Sequence, residues 1–189
     1  NRVVQVFSKN VELSDAMTDV QKTTGLAADE VARLTDEIQN LDTRISNEEL
    51  MEAAAEAGRI GLQTREEVLQ FTRASAITLT ALDELDAKAL TSVMKLNTLL
   101  GETARLGVQQ AILSTASSIN ELSAASAASA QPIIDFARRV GGVASQASLS
   151  TAEVLGLGAT LDAIGQNVEA SSTAVSKFTT ALLTNGKAI

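Results

Sequence analysis

Helix start and stop signals recur along this chain at a fixed spacing, and no other feature limits its possible folds as tightly. Ser46-Asn47-Glu48-Glu49 and Ser150-Thr151-Ala152-Glu153 are capping boxes. In each, the serine oxygen satisfies the amide of the third helical residue and the glutamate reaches back to the serine amide. Each opens a run with helical spacing: Leu50, Met51, Ala54, Ala57 and Ile60 after the first, Val154, Leu155, Leu161 and Ile164 after the second. Each run closes on a glycine, Gly61 or Gly165, at the same distance from its serine. Glycine is the residue that turns a helix C-terminus through φ > 0. A further box, Thr64-Arg65-Glu66-Glu67, opens a helix through Val68 and Phe71. A weaker copy runs from Leu85-Asp86 through Leu90 to Leu100-Gly101 without the glutamate, and chance similarity between Ala- and Leu-rich helices is the better account of it.

The layout of cap, four helical turns, glycine turn and second helix describes an αα-hairpin, and its repetition predicts hairpins stacked together. Residues 45–61 and 149–165 should superimpose, with Ile60 and Ile164 pointing into the core. Phe71 and Phe178 should lie on the second helices, the latter three residues further along. Upstream, Val3, Phe7, Val11, Leu13, Met17 and Val20 keep near-helical spacing as far as Thr24, with Gly25 as a stop. Leu26, Val31, Leu34, Ile38 and Leu41 mark another helix. Strands favour aromatic and β-branched residues, and this chain has no Trp or Tyr and only four Phe. The fold class is therefore all-α: a multi-helix bundle of stacked αα-hairpins with no sheet, about nine helices, and breaks at Gly25, Gly61, Gly101 and Gly165. The expected organisation is an N-terminal helix (1–24) leading into one core domain (25–189). A start at Asn1 fits a piece of a longer protein.

Missing residue types narrow the chemistry. With no Cys there is no disulfide, thiolate nucleophile or sulfur-bound metal, and the redox compartment is not legible. With no His the commonest general base and the usual zinc ligand are absent. A net charge of −8 opposes phosphate binding, and Arg138-Arg139 is the sole basic doublet. No signal peptide is visible. Leu106 to Ile134 carries one charge, Glu121, but too many Ser, Gln, Asn and Thr residues for a membrane span. The expectation is a non-enzymatic protein with no cofactor, no metal, no direct nucleic-acid binding and no membrane span.

Charge is uneven: residues 1–105 carry 18 acids and 11 bases, residues 106–189 only five and four. Helix faces in the second part must be covered by the fold or by partners, so self-association is expected near Leu106–Ile134. The run Ser123-Ala124-Ala125-Ser126-Ala127-Ala128-Ser129-Ala130 has two readings of equal weight, close helix approach or a flexible connection.

Three short motifs have dull explanations. Ser92-Val93-Met94-Lys95 matches the S-x-x-K element of serine acyl-transferases but lacks its companions. Gly156-Leu157-Gly158 lies within a capped helix and lacks a third glycine, so a helix–helix contact explains it better than a dinucleotide loop. Asp83-Glu84-Leu85-Asp86 gathers three carboxylates, but Asp86 is placed as an N-cap and a solvated turn accounts for the rest.

The chain from about Phe7 to Leu183 resembles the core domain of phage tail tape measure proteins. The likeness rests on Phe7 through Met17 and Val20 to Thr24-Gly25, then on Ile45-Ser46, Glu49-Leu50-Met51-Glu52-Ala53-Ala54, Ala57-Gly58, Gly61-Leu62 and Val68-Leu69-Gln70-Phe71. It continues through Ile119-Asn120-Glu121-Leu122 to Arg139-Val140, Ala144, Leu149-Ser150, Glu153 and Gly165. Ser171 to Lys177 matches only weakly. The resemblance implies no catalytic residues here. It implies a protein of the virion tail, assembled in the host bacterial cytoplasm. Such proteins set tail length, nucleate tube polymerisation and occupy the tube lumen in several copies, with tail tube and assembly proteins as partners. The second reading is a soluble helical adaptor or signalling scaffold segment, but sustained heptads are its signature and glycines interrupt this chain. An enzyme comes third.

Overall fold

The computed structural model describes residues 2–185, with side chains from residue 11 onward. The core-facing positions expected at Val3 and Phe7, and the end of the 25–189 span, lie outside the described residues. The chain forms two compact units, Asn1–Thr80 and Ala81–Ile189. Every regular element is an α-helix, and no strand occurs among the described residues.

The first unit contains α1 (Arg2–Thr24), α2 (Ala28–Gln39), α3 (Asn47–Arg59) and α4 (Arg65–Ala81). The stripe expected on α2 is buried: Val31, Leu34 and Ile38 are at most 2% exposed. On α3 the buried side is mostly alanine, with Leu50 and Met51. Small side chains let a neighbouring backbone come close, and α1 does so at Gly58. A Cβ built on Gly58 would stand 2.6 Å from the Thr23 carbonyl carbon and 2.7 Å from the Thr24 amide nitrogen. Arg59 ties the same pair of helices, bonding Asp19 at 2.5 Å. On α4, Val68, Leu69 and Phe71 are buried, and Thr72 and Ser75 enter the core by returning their hydroxyls to the Val68 and Phe71 carbonyls.

The second unit contains α5 (Ala87–Leu99), the short α6 (Glu102–Leu106), α7 (Val108–Ala125), α8 (Ala130–Gln146), α9 (Thr151–Ala163) and α10 (Val168–Asn185). Helix α8 lies at its centre, against α5, α7, α9 and α10. Ile133, Ile134, Phe136, Ala137 and Val140 form its buried face. Glycines again set the approach distance. A Cβ on Gly158 of α9 would lie 3.0 Å from the Phe136 ring, so Gly158 sits at a helix–helix contact, whereas Gly156 has nothing within 4 Å of its would-be Cβ and Leu157 is exposed. Between α5 and α7, Asn97 is fully buried and accepts a 2.7 Å bond from the Thr115 hydroxyl.

All four predicted glycine breaks have positive φ: Gly25 +74°, Gly61 +94°, Gly101 +82° and Gly165 +76°. Gly107, at +79°, adds a break that periodicity did not reveal and separates α6 from α7. Ser148 makes the same kind of turn without glycine, at φ +56°. The Ser/Ala-rich run divides between the end of α7, a four-residue turn and the start of α8, with Ala128 and Ala130 buried.

Candidate functional site

The residues singled out from sequence are helix caps and turns. Ser46 Oγ accepts from the Glu49 amide at 3.3 Å, while the Glu49 carboxylate accepts from the Ser46 amide at 3.0 Å and its hydroxyl at 2.7 Å. Ser150 and Glu153 repeat this at 3.3, 2.8 and 2.8 Å. Thr64 and Glu67 repeat it at 3.2, 3.3 and 2.6 Å. Hydrogen bonds from the serine hydroxyl and amide hold the Glu49 carboxyl below its ordinary range, and those from the Ser150 amide and hydroxyl do the same for Glu153.

The far ends of α3 and α9 match as well. Gly61 N–H reaches the Gly58 carbonyl at 3.0 Å and Leu62 N–H the Ala57 carbonyl at 3.0 Å. The corresponding bonds are Gly165 to Asp162 at 2.8 Å and Gln166 to Leu161 at 2.9 Å. Both are Schellman turns, which satisfy the last carbonyls of a helix. Buried positions correspond too: Leu50 with Val154, Met51 with Leu155, Ala54 with Gly158, Ala55 with Ala159. Helix α5 has the same length and an Asp86 cap, which accepts from the Ala89 amide at 2.8 Å. The weak copy therefore shares the cap and the helix length, and Gly101 N–H reaches the Thr98 carbonyl at 3.2 Å.

Correspondence in burial is already partial within the helices, where Ala53 is buried and Leu157 is 40% exposed, and it is lost at the turn. Ile60 is partly buried, whereas Ile164 is 65% exposed, so the expectation that both point into the core is corrected at Ile164. The second helices differ more. Phe71 on α4 is fully buried, and Phe178 on α10 is 65% exposed. Asn167, not a Thr-x-x-Glu box, starts α10 by accepting from the Glu169 and Ala170 amides. The repeat is thus one helix with its two ends, not a whole hairpin.

The chemical motifs resolve into structure. Val93 and Met94 are buried while Lys95 is exposed, and Ser92 turns to the Lys88 carbonyl of its own helix. No group of three or more carboxylates that could hold a metal occurs among the described residues. A cleft of about 420 Å³ in the first unit is lined by Glu12, Leu13, Ala16, Gln39 and Ser46 to Glu48, and the Ser46 hydroxyl there is engaged in its helix cap. No described helix is long and apolar enough to cross a membrane.

The large apolar residues of the low-charge stretch are covered within the fold. Ile112, Ile119, Ile133 and Ile134 are buried, and no large hydrophobic residue between Leu106 and Ile134 is exposed. In the second unit the exposed large hydrophobic residues are Leu99, Leu157, Ile164, Phe178 and Leu182. Helix α10 docks by its first turns, where Ser171 and Ser172 are buried and Glu169 meets Arg139 of α8 at 2.8 Å. Beyond them Phe178 and Leu182, four residues apart and so on one face, stand 65% and 57% exposed. Sequence shows the spacing of this pair but not that it stays exposed among the described residues.

A helical bundle held by caps and small-residue contacts, with apolar positions left exposed on both α9 and α10, has the features of a structural packing protein. A family model described as phage-related minor tail protein matches residues 38–189, and the chain belongs to that family. It is a phage tail protein. Neither a curated protein nor a solved structure matches the chain.

Proposed function

We propose that this chain is the helical core of a tape measure protein, acting inside the virion tail after assembly in the host cytoplasm. The observation that carries the reading is the tail-family match over residues 38–189, with the order of caps and glycines from Ser46 to Gly165 supporting it. In this role the protein sets tail length, contacts tail tube and assembly proteins, and does no catalysis. An acidic chain of net charge −8 suits a lumen through which DNA later passes, because it does not hold phosphates. Copies associate through α10 rather than through 106–134. Phe178 and Leu182 supply the apolar contact, and α10 carries only Glu169 and Lys177 as charged residues, so like-charged copies repel least there.

The test is genetic. Residues 38–189 are excised from the phage gene, and particles are examined by electron microscopy with and without complementation. The expected outcome is tailless particles or tails of altered length, restored by the intact gene. Tails of normal length and number would sink the proposal.

A further inference from the structure

The start of α8 is capped by no residue near it. Ser129, the N-cap, makes no side-chain bond to the helix, and the first turn contains no acid. Ser126 is committed elsewhere: its hydroxyl donates to the Leu122 carbonyl at 2.7 Å and accepts from the Ala128 amide at 3.2 Å. Pro132, the chain's only proline, has no N–H, so the turn offers just the amides of Ser129, Ala130 and Gln131. Two of these three are taken by carboxylates from distant elements. The Ser129 amide donates to Asp162 of α9 at 2.9 Å, and the Ala130 amide donates to Glu84, in the turn before α5, at 3.0 Å. Negative charge is favourable at this end of the helix dipole, and here it comes entirely from residues 33 and 46 positions away.

We propose that Glu84 and Asp162 form a two-part latch that holds the Ser/Ala-rich turn and the first turn of α8 closed. Releasing it opens residues 123–131 as a local unit while the rest of Ala81–Ile189 stays folded. The tie is local because α8 is anchored independently further along, by Ile133, Ile134, Phe136 and Val140 in the core. The turn itself buries only the small side chains of Ala128 and Ala130. Few apolar contacts and a start held by polar bonds are the properties of a segment that opens below the global unfolding free energy.

Hydrogen exchange of the full chain, read by mass spectrometry in peptides covering 123–134, tests this. Glu84→Ala and Asp162→Ala each remove one carboxylate. Glu84→Gln and Asp162→Asn keep an oxygen acceptor without the charge, and Asp83→Ala removes a neighbouring charge that makes no cap. Each alanine variant is expected to accelerate exchange in 123–134 by roughly five- to tenfold, as loss of a helix cap does. The double variant is expected to reach at least the product, and the amide variants to fall between. Peptides from α5 and from the second half of α8 should keep their rates, as should every peptide of Asp83→Ala. The latch is refuted if 123–134 exchanges within twofold of the parent in the double variant. It is equally refuted if all peptides of the unit accelerate together, or if Asp83→Ala matches the alanine variants. If the double variant does not fold, the two single variants decide by the same criteria.

Discussion

Gly58→Ala puts the close approach of α1 and α3 to a direct test. In a helix interior alanine is favoured over glycine by about 1 kcal/mol on propensity alone. Packing works in the opposite direction. The new methyl would lie 2.6 Å from the Thr23 carbonyl carbon and 2.7 Å from the Thr23 hydroxyl. Ordinary carbon contacts begin near 3.5 Å, so α1 must move off by roughly 1 Å. The hydroxyl cannot simply swing aside, because it bonds the Asp19 and Val20 carbonyls at 2.9 and 3.2 Å. Forcing a methyl into a filled contact costs about 1–3 kcal/mol, and a shift of backbone belongs at the upper end. After the propensity gain, the net loss is about 1–2 kcal/mol. For a unit the size of the first one, that lowers its melting temperature by roughly 4–15 °C. Circular dichroism melts and urea titrations of Gly58→Ala measure this, with Gly142→Ala as the control. Gly142 lies inside α8 with nothing within 4 Å of its would-be Cβ, so the same substitution there should stabilise by about 0.5–1 kcal/mol. A Gly58→Ala protein as stable as its parent would refute the close contact.

Ser148→Gly should raise stability by about 0.5–1 kcal/mol in a urea titration, because Ser148 turns at φ +56° where glycine is unstrained. Thr115→Val should lower it by about 1–3 kcal/mol, since it removes the partner of buried Asn97 Oδ1 while Asn97 Nδ2 is already unpaired. The Glu49 and Glu153 carboxyls are held below their ordinary values by their serines. Their contribution is thus complete above the ordinary glutamate range and lost as pH falls through the lowered folded values. Glu49→Gln and Glu153→Gln should therefore differ from the parent near neutral pH and converge with it in acid, as acid melts would show. If α10 joins copies, Phe178→Glu with Leu182→Glu should shift sedimentation toward monomer while leaving the circular dichroism unchanged.

The amino-acid sequence by itself determined the punctuation of this protein. A capping box needs only a serine and a glutamate three residues apart, and a Schellman turn needs a residue that tolerates φ > 0. Both are settled within about six residues, so Ser46, Glu49, Gly61, Ser150, Glu153 and Gly165 could be placed from their spacing alone. Helical propensity and the scarcity of aromatic residues made an all-α fold legible for the same local reason. Burial is decided otherwise. Ile60 and Ile164 hold the same place in the same local frame, yet Ile164 is 65% exposed because of what does and does not lie beside it. Phe71 and Phe178 part in the same way. Gly58 reads as an ordinary helix glycine until α1 is laid across it. The first turn of α8 has no local cap and takes its acceptors from Glu84 and Asp162. Local side-chain hydrogen bonds thus fixed the starts of α3, α4, α5, α9 and α10, while α6, α7 and α8 begin without a local side-chain cap. Contacts between residues far apart in the chain, which no short window of sequence contains, decided which faces are covered and left one side of α10 open.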